Sequence, residues 1–198
     1  MKEVTIIDYG SGNLRSISNA LTKLKIPNKI TNKSEEITNA QSIILPGVGA
    51  FGTAMDNIKP YQKILKEHIQ DDKPFLGICL GLHLLLGESE ENPGVEGFQL
   101  IPGKVEKIPE GPKIPHMGWN TLKLTKNCPI LEGTDKKYFY FVHSYHAKID
   151  NPETISALTE YETPLVAAIS QNNLFATQFH PEKSGVPGLK ILKNFIQL

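Results

Sequence analysis

Lys73-Pro74-Phe75-Leu76-Gly77-Ile78-Cys79-Leu80-Gly81-Leu82-His83-Leu84-Leu85-Leu86-Gly87 decides how the rest of the chain is read. It divides into a short apolar strand, a sharp turn carrying a cysteine between two glycines, and an apolar helix. Gly77-Ile78-Cys79-Leu80-Gly81 has the spacing of a nucleophile elbow, G-x-S-x-G with sulfur in place of oxygen. Small flanking residues there let a strained turn lift the nucleophile off a sheet. Cys79 is the candidate nucleophile. The free N–H groups of a helix start favour a thiolate, and the Leu80 amide would face a developing oxyanion. A buried, inert cysteine at a strand–helix junction is the competing reading, because cysteine is among the most buried residue types, and the motif alone leaves both open.

Around this stretch, 198 residues suffice for one domain with a full core, expected to span 1–198. Twenty-one basic and 21 acidic side chains give a net charge of zero. Such a balance offers no electrostatic footprint for nucleic acid or an anionic membrane surface, which favours a small-molecule substrate or a protein partner. The chain begins directly in a strand pattern, without the apolar core of a signal peptide and without a stretch long enough to span a bilayer, so a cytoplasmic location is expected. Cys79 and Cys128 sit in unlike contexts without ligand neighbours at useful spacing. Both are expected reduced, with no disulfide, no metal site and no cofactor.

Toward the N-terminus, Val4 to Asp8 reads as a strand closed by Tyr9-Gly10-Ser11-Gly12-Asn13, and Leu14, Ile17, Ala20, Leu21 and Leu24 follow at helical spacing. Arg15 stands where the third glycine of a G-x-G-x-x-G phosphate turn would be, so a plain strand-to-helix turn is the simpler reading. Lys29 to Thr31 reads as an edge strand. Ser42 to Leu45 is a buried one, ending at Pro46-Gly47-Val48-Gly49-Ala50-Phe51-Gly52, whose glycines allow backbone N–H groups to approach a ligand. Tyr61 to Gln70 is a helix. Strands alternating with helices imply a mainly parallel sheet with helices on both faces, and the Gly10, Gly47 and Cys79 turns would then share the carboxyl rim where such folds bind ligands.

Past Gly87 the pattern changes. Glu88 to Gly94 reads as a solvated acidic loop, and short strands follow at Gly103–Val105, Asn120–Leu124, Tyr138–Val142, Ile155–Thr159, Val166–Ile169 and Leu174–Phe179. Strands without intervening helices indicate antiparallel extension, so the fold class is α/β: a three-layer, mixed, mostly parallel sheet with an antiparallel C-terminal half. Gly188 to Leu198 reads as a closing helix. Pro115-His116-Met117-Gly118-Trp119-Asn120 sets the only tryptophan beside a histidine, in a loop, where it suits either a partner contact or a cap on the core.

A cysteine nucleophile needs a base and a group to orient that base. Of six histidines, His180 ends an apolar strand and Glu182 follows across Pro181. A chain held extended by the proline would project both side chains to one side, where the carboxylate fixes the imidazole tautomer. His143 is the rival base, without a comparable acid nearby. His68 and His146 read as surface residues, and His116 as a loop donor. Spacing supports a Cys–His–Glu hydrolase of unspecified substrate.

The elbow together with Phe179-His180-Pro181-Glu182 resembles the signature of class I, triad-type glutamine amidotransferases. Asp8 to Ser16, Leu45 to Phe51, Pro115 to Asn120, Tyr140 to Tyr145 and Gln178 to Ser184 are similar, in colinear order over nearly the whole chain, to the glutaminase subunits of imidazole glycerol phosphate synthase. The resemblance implies a glutaminase that releases glutamate and ammonia through a Cys79 thioester, with His180 and Glu182 as its partners. It implies oxyanion donors at Leu80 and near Val48 and Gly49, on a loop that must rearrange, and substrate contacts at Gly47, His83, Ser144 and Tyr145. It also implies a (β/α)8-barrel cyclase as heterodimer partner, which takes the ammonia through its barrel and converts PRFAR to imidazole glycerol phosphate and AICAR in histidine biosynthesis, with Asn13, His116 and Trp119 on the interface side. His83 departs from the family, which usually carries glutamine there; imidazole lacks the paired donor and acceptor of an amide. A paralogue feeding another acceptor and a stand-alone cysteine hydrolase remain as alternatives.

Overall fold

The computed structural model describes residues 3–111 and 113–198. Along the chain lie β1 (Val4–Ile7), α1 (Leu14–Lys23), β2 (Asn28–Thr31), α2 (Ser34–Thr38), β3 (Ser42–Leu45), α3 (Phe51–Ile58), α4 (Gln62–Gln70), β4 (Phe75–Ile78) and α5 (Leu80–His83). The second half adds β5 (Gly103–Lys107), β6 (His116–Thr121), β7 (Lys123–Leu124), β8 (Tyr138–His143), β9 (Tyr145–Ile149), β10 (Ile155–Tyr161), β11 (Thr163–Gln171), β12 (Leu174–Thr177) and α6 (Gly185–Ile196).

Eight strands form the main sheet in the order β2-β1-β3-β4-β12-β11-β10-β7. The first five run parallel, and β11, β10 and β7 extend them antiparallel. Of the parallel strands, β1, β3, β4 and β12 are buried along their whole length and read as largely apolar runs, while β2 is a partly exposed edge strand. Alternate side chains serve two cores. Ile43, Leu45 and Phe75 pack with α3 and α4 through Phe51, Met55, Ile58 and Leu65. Ile44, Leu76 and Ile78 pack with α1 and α6 through Ile17, Leu21, Ile191, Leu192 and Phe195. Burying one such leucine or isoleucine contributes about 1.5–3 kcal/mol, so a one-residue register slip would expose whole rows at once.

Several expectations need correction. Four of the later strands leave the main sheet: β5 pairs with β9, and β6 with β8, as two separate ribbons. The Pro115 to Asn120 stretch is accordingly mostly strand, with His116 opposite His143 and Trp119 opposite Tyr140. The elbow helix stops at His83 instead of running to Gly87. The amides of Gly97 to Ile101 come back onto the carbonyls of residues 84–87 and take the positions a second turn would need. The acidic loop is not merely solvated: Glu91 Oε2 accepts from Phe51 N and Asn92 Oδ1 from Gly52 N, both at 2.8 Å, capping α3 where Ala50 makes no side-chain cap. His68 is buried, with Nε2 donating to the Pro74 carbonyl at 3.1 Å, and Cys128 packs into the α1/α6 core.

Candidate active site

Because β1, β3, β4 and β12 are parallel, the turns that follow them meet at one rim. Cys79 follows β4 directly, with φ 54° and ψ −106°, a conformation L-residues adopt only under strain. The glycines around it are there because backbone comes close. A Cβ on Gly81 would lie 2.2 Å from Leu45 O, and one on Gly77 would lie 2.8 Å from Gly81 O. The Cys79 amide donates to Thr177 O at 2.7 Å, which ties the elbow to β12.

His180 and Glu182 come from the turn after β12. His180 Nδ1 donates to Glu182 Oε1 at 2.8 Å, with both side chains buried. The chain is extended only at His180; Pro181–Lys183 is a 3₁₀ turn, and that turn, not a continued extension, brings the carboxylate back to the ring. Its seat is fixed by His180 N donating to Tyr140 O at 3.0 Å and Ser184 Oγ donating to His180 O at 2.6 Å. His180 Nε2 is buried beside the Cys79 sulfur without a hydrogen bond of regular geometry. Burial opposes the charged ring, but Cys79 and Glu182 outweigh it and push the His180 pKa up to about 9. An imidazolium placed there can protonate a leaving group next to the sulfur.

Cys79 opens into a cavity of about 500 Å³ that Val48, Gly49, Leu80, His83, Ser144 and Tyr145 also line, a size suited to a small metabolite. Gly47 does not line it. It is buried under the loop, where a Cβ would meet Tyr9 Oη at 2.6 Å and Leu80 Cβ at 2.7 Å. Val48 N, the expected oxyanion donor, points at Ser11 Oγ at 3.3 Å, and the same hydroxyl donates to Val48 O. Tyr9 Oη holds the loop from beneath by donating to Pro46 O at 2.7 Å; burial pushes the Tyr9 pKa upward. As the loop stands, the Val48 amide serves Ser11 and not the cavity.

The cavity wall also includes Glu91, Pro115, Val142 and His143. Glu91 was hidden in a stretch whose composition reads as solvent-facing. His143 is fully engaged. Its Nδ1 donates to Tyr145 O at 2.8 Å, and its Nε2 accepts from His116 Nδ1 at 3.0 Å. His116 Nε2 in turn accepts from Asn120 Nδ2 at 3.3 Å. A carbonyl at the end of the series can only accept, which fixes both tautomers. Burial pushes the His143 pKa down to about 3 and that of His116 to about 4, so both rings are neutral near pH 7. His143 therefore has no nitrogen left for Cys79. Gln178, a fully buried polar residue ending an apolar strand, also belongs here: Nε2 lies 3.8 Å from Cys79 Sγ and Oε1 lies 2.8 Å from His83 Nε2. Its only trace in the sequence is a lone polar side chain near the end of an apolar strand, which says that it needs a partner but not which one.

Of the three expected interface residues, Trp119 is 56% exposed and stands with exposed Met117 and Tyr138 on the β6–β8 ribbon. His116 lies beneath this surface. It is 3% exposed and stacked between Phe141 and Tyr161, with centroids at 4.7 and 4.0 Å. Asn13 caps α1, its Oδ1 accepting from Ser16 N at 3.4 Å.

A nucleophile elbow, an imidazole–carboxylate pair and a pocket on the carboxyl rim of a mixed sheet define a class, and the family described as Glutamine amidotransferase class-I matches residues 5–198. The chain belongs to that family. Solved structures share the fold: one described as a glutamine amidotransferase superposes with a TM-score of 0.78 at 19% identity, covering 98% of this chain and 97% of that one. PurLQS from Thermotoga maritima gives 0.75 at 17%, covering 100% and 99%. More particular are the sequence relatives. The imidazole glycerol phosphate synthase subunit HisH of Methanothermobacter thermautotrophicus is 51% identical over 195 residues, covering 98% of each chain. That of Methanocaldococcus jannaschii is 50% identical over 196 residues, covering 98% of this chain and 99% of the relative.

Proposed function

We propose that the chain is the glutaminase subunit of imidazole glycerol phosphate synthase, acting in histidine biosynthesis. The carrying observation is full-length identity of about half to HisH subunits; the reading is supported by Cys79 opening into a cavity with the hydrogen-bonded His180–Glu182 pair buried beside its sulfur. The Cys79 sulfur attacks the side-chain amide carbon of glutamine. The tetrahedral intermediate collapses as His180 gives its proton to the leaving nitrogen, releasing ammonia and a glutamyl thioester. Water, deprotonated by His180, then attacks the thioester; the C–S bond breaks and glutamate leaves. Glu182 holds the Nδ1–H tautomer throughout. Glu91 on the cavity wall provides a carboxylate for the substrate's ammonium, and Ser144 and Tyr145 provide polar contacts.

The oxyanion needs a donor besides Leu80 N. With the Val48 amide held by Ser11, one donor is withheld, and a missing donor costs about 3–4 kcal/mol of transition-state stabilisation. Hydrolysis then waits for a partner to move the loop. The partner is a (β/α)8-barrel cyclase that docks on the apolar ribbon of Met117, Trp119 and Tyr138, next to the cavity wall at Pro115 and Val142, and receives the ammonia. No described helix is long and apolar enough to cross a membrane, in keeping with a partner in the cytoplasm. Glutamate release measured with and without the cognate cyclase and PRFAR, alongside Cys79→Ala, tests this. The expected result is strong stimulation and a silent variant; no stimulation would sink the pathway assignment, and an active alanine variant the mechanism.

A further inference from the structure

His83 stands one helical turn from Cys79, 5% exposed at the cavity wall, yet its Nε2 is directed away from the open space, to Gln178 Oε1 at 2.8 Å. Gln178 is wholly buried and held at its backbone by a 2.8 Å bond from its N–H to Ala167 O. Its amide has two ends and two neighbours. An amide oxygen can only accept, so His83 Nε2 carries the proton in this bond, and the amide NH₂ is thereby turned to the sulfur, 3.8 Å away. Reversing the amide would set its oxygen against the sulfur and would need the other His83 tautomer, with Nε2 accepting from the NH₂.

We propose that His83 is a positioning residue for the nucleophile, acting through Gln178: it fixes the direction of the carboxamide so that an N–H faces Cys79 Sγ. This rests on the reading of Cys79 as nucleophile. The sulfur carries negative charge twice in the cycle, before attack and when the thioester breaks, and a fixed donor helps both times. The titratable groups around His83 are Cys79 on its own turn, His143 on β8 and His146 on β9. Burial, with His146 adding to it, pushes the His83 pKa down to about 4. The neutral ring therefore acts by hydrogen-bond direction and not by charge.

The test is the pH profile of iodoacetamide alkylation of Cys79 in the isolated chain, followed by mass spectrometry of the Cys79 peptide so that Cys128 does not interfere. One hydrogen bond's worth of stabilisation predicts that His83→Leu slows alkylation at pH 7 by about three- to tenfold and moves its midpoint to higher pH. Gln178→Leu reads the relay from its other end and should do the same; the double variant should go no further than either single one. His83→Gln, whose amide can also donate to Gln178 Oε1, should stay within about twofold of the parent. In partner-stimulated glutaminase assays His83→Leu should lower kcat with KM little changed. A parental alkylation profile in folded His83→Leu or Gln178→Leu, additive effects in the double variant, or a change confined to KM would overturn the relay. Alkylation needs neither glutamine nor cyclase, so absent glutaminase activity with an intact alkylation shift would count against the proposed function alone.

Discussion

Ser11 holds both the N–H and the C=O of Val48 with one hydroxyl. A hydrogen bond of ordinary strength contributes about 0.5–1.5 kcal/mol. Ser11→Ala should therefore raise the cyclase-free glutaminase rate by roughly two- to tenfold while leaving the stimulated rate nearly unchanged. Coupled glutamate detection reads both, and an unaltered free rate would show that Ser11 does not restrain the loop. At His180 the direction of the shift gives a second expectation. Glu182→Gln removes one of the two groups that hold the imidazole's pKa up to about 9. The alkaline limb of the kcat profile should then move to lower pH, with kcat falling on the order of 100-fold from weakened acid–base catalysis. Cys79, His180 and Glu182 were legible as a group because each carries its chemistry in a local motif. Gln178 and Glu91 were not, because what makes them part of the site is a neighbour about 99 and 40 residues away along the chain.

Among the elements, α3 begins without a cap of its own and borrows Glu91 and Asn92 from the loop after the elbow. Asn92→Ala should lower the unfolding free energy by about 1 kcal/mol, read as a lower urea midpoint at unchanged slope. The parallel half was legible because buried strands and amphipathic helices announce themselves by period. The ribbons β5–β9 and β6–β8 were not: a short alternating strand says that it pairs, but not with which sheet. The elbow helix was overestimated for a related reason. Its leucines suit a helix, yet the residue 97–101 segment that claims the carbonyls of residues 84–87 lies beyond any local window.

For the molecule as a whole, the histidines set the pH range of stability. His83 and His116 are held near 4 and His143 near 3, below an unfolded value near 6.5. The unfolded chain thus binds more protons as pH falls below about 6.5, and each ring costs up to about 1.4 kcal/mol per pH unit until it titrates in the fold. His180 acts in the opposite sense: its contribution is full below about 6.5 and is lost as pH rises through about 9. Thermal melts should show a maximum near neutrality and a steep acid limb, which His143→Phe would flatten if the fold tolerates it. A second whole-molecule consequence comes from the elbow. Cys79 occupies a region of backbone space that type II′ turns reserve for glycine. Alanine normally exceeds glycine in stability, through the entropy of the unfolded chain, but here a Cβ carries strain of about 1–3 kcal/mol. Cys79→Gly should therefore melt above Cys79→Ala, by about 2–4 °C for each 1 kcal/mol gained. If so, random drift at this codon would be drawn toward a sturdier but inert protein, and keeping cysteine there is work for selection, not for folding.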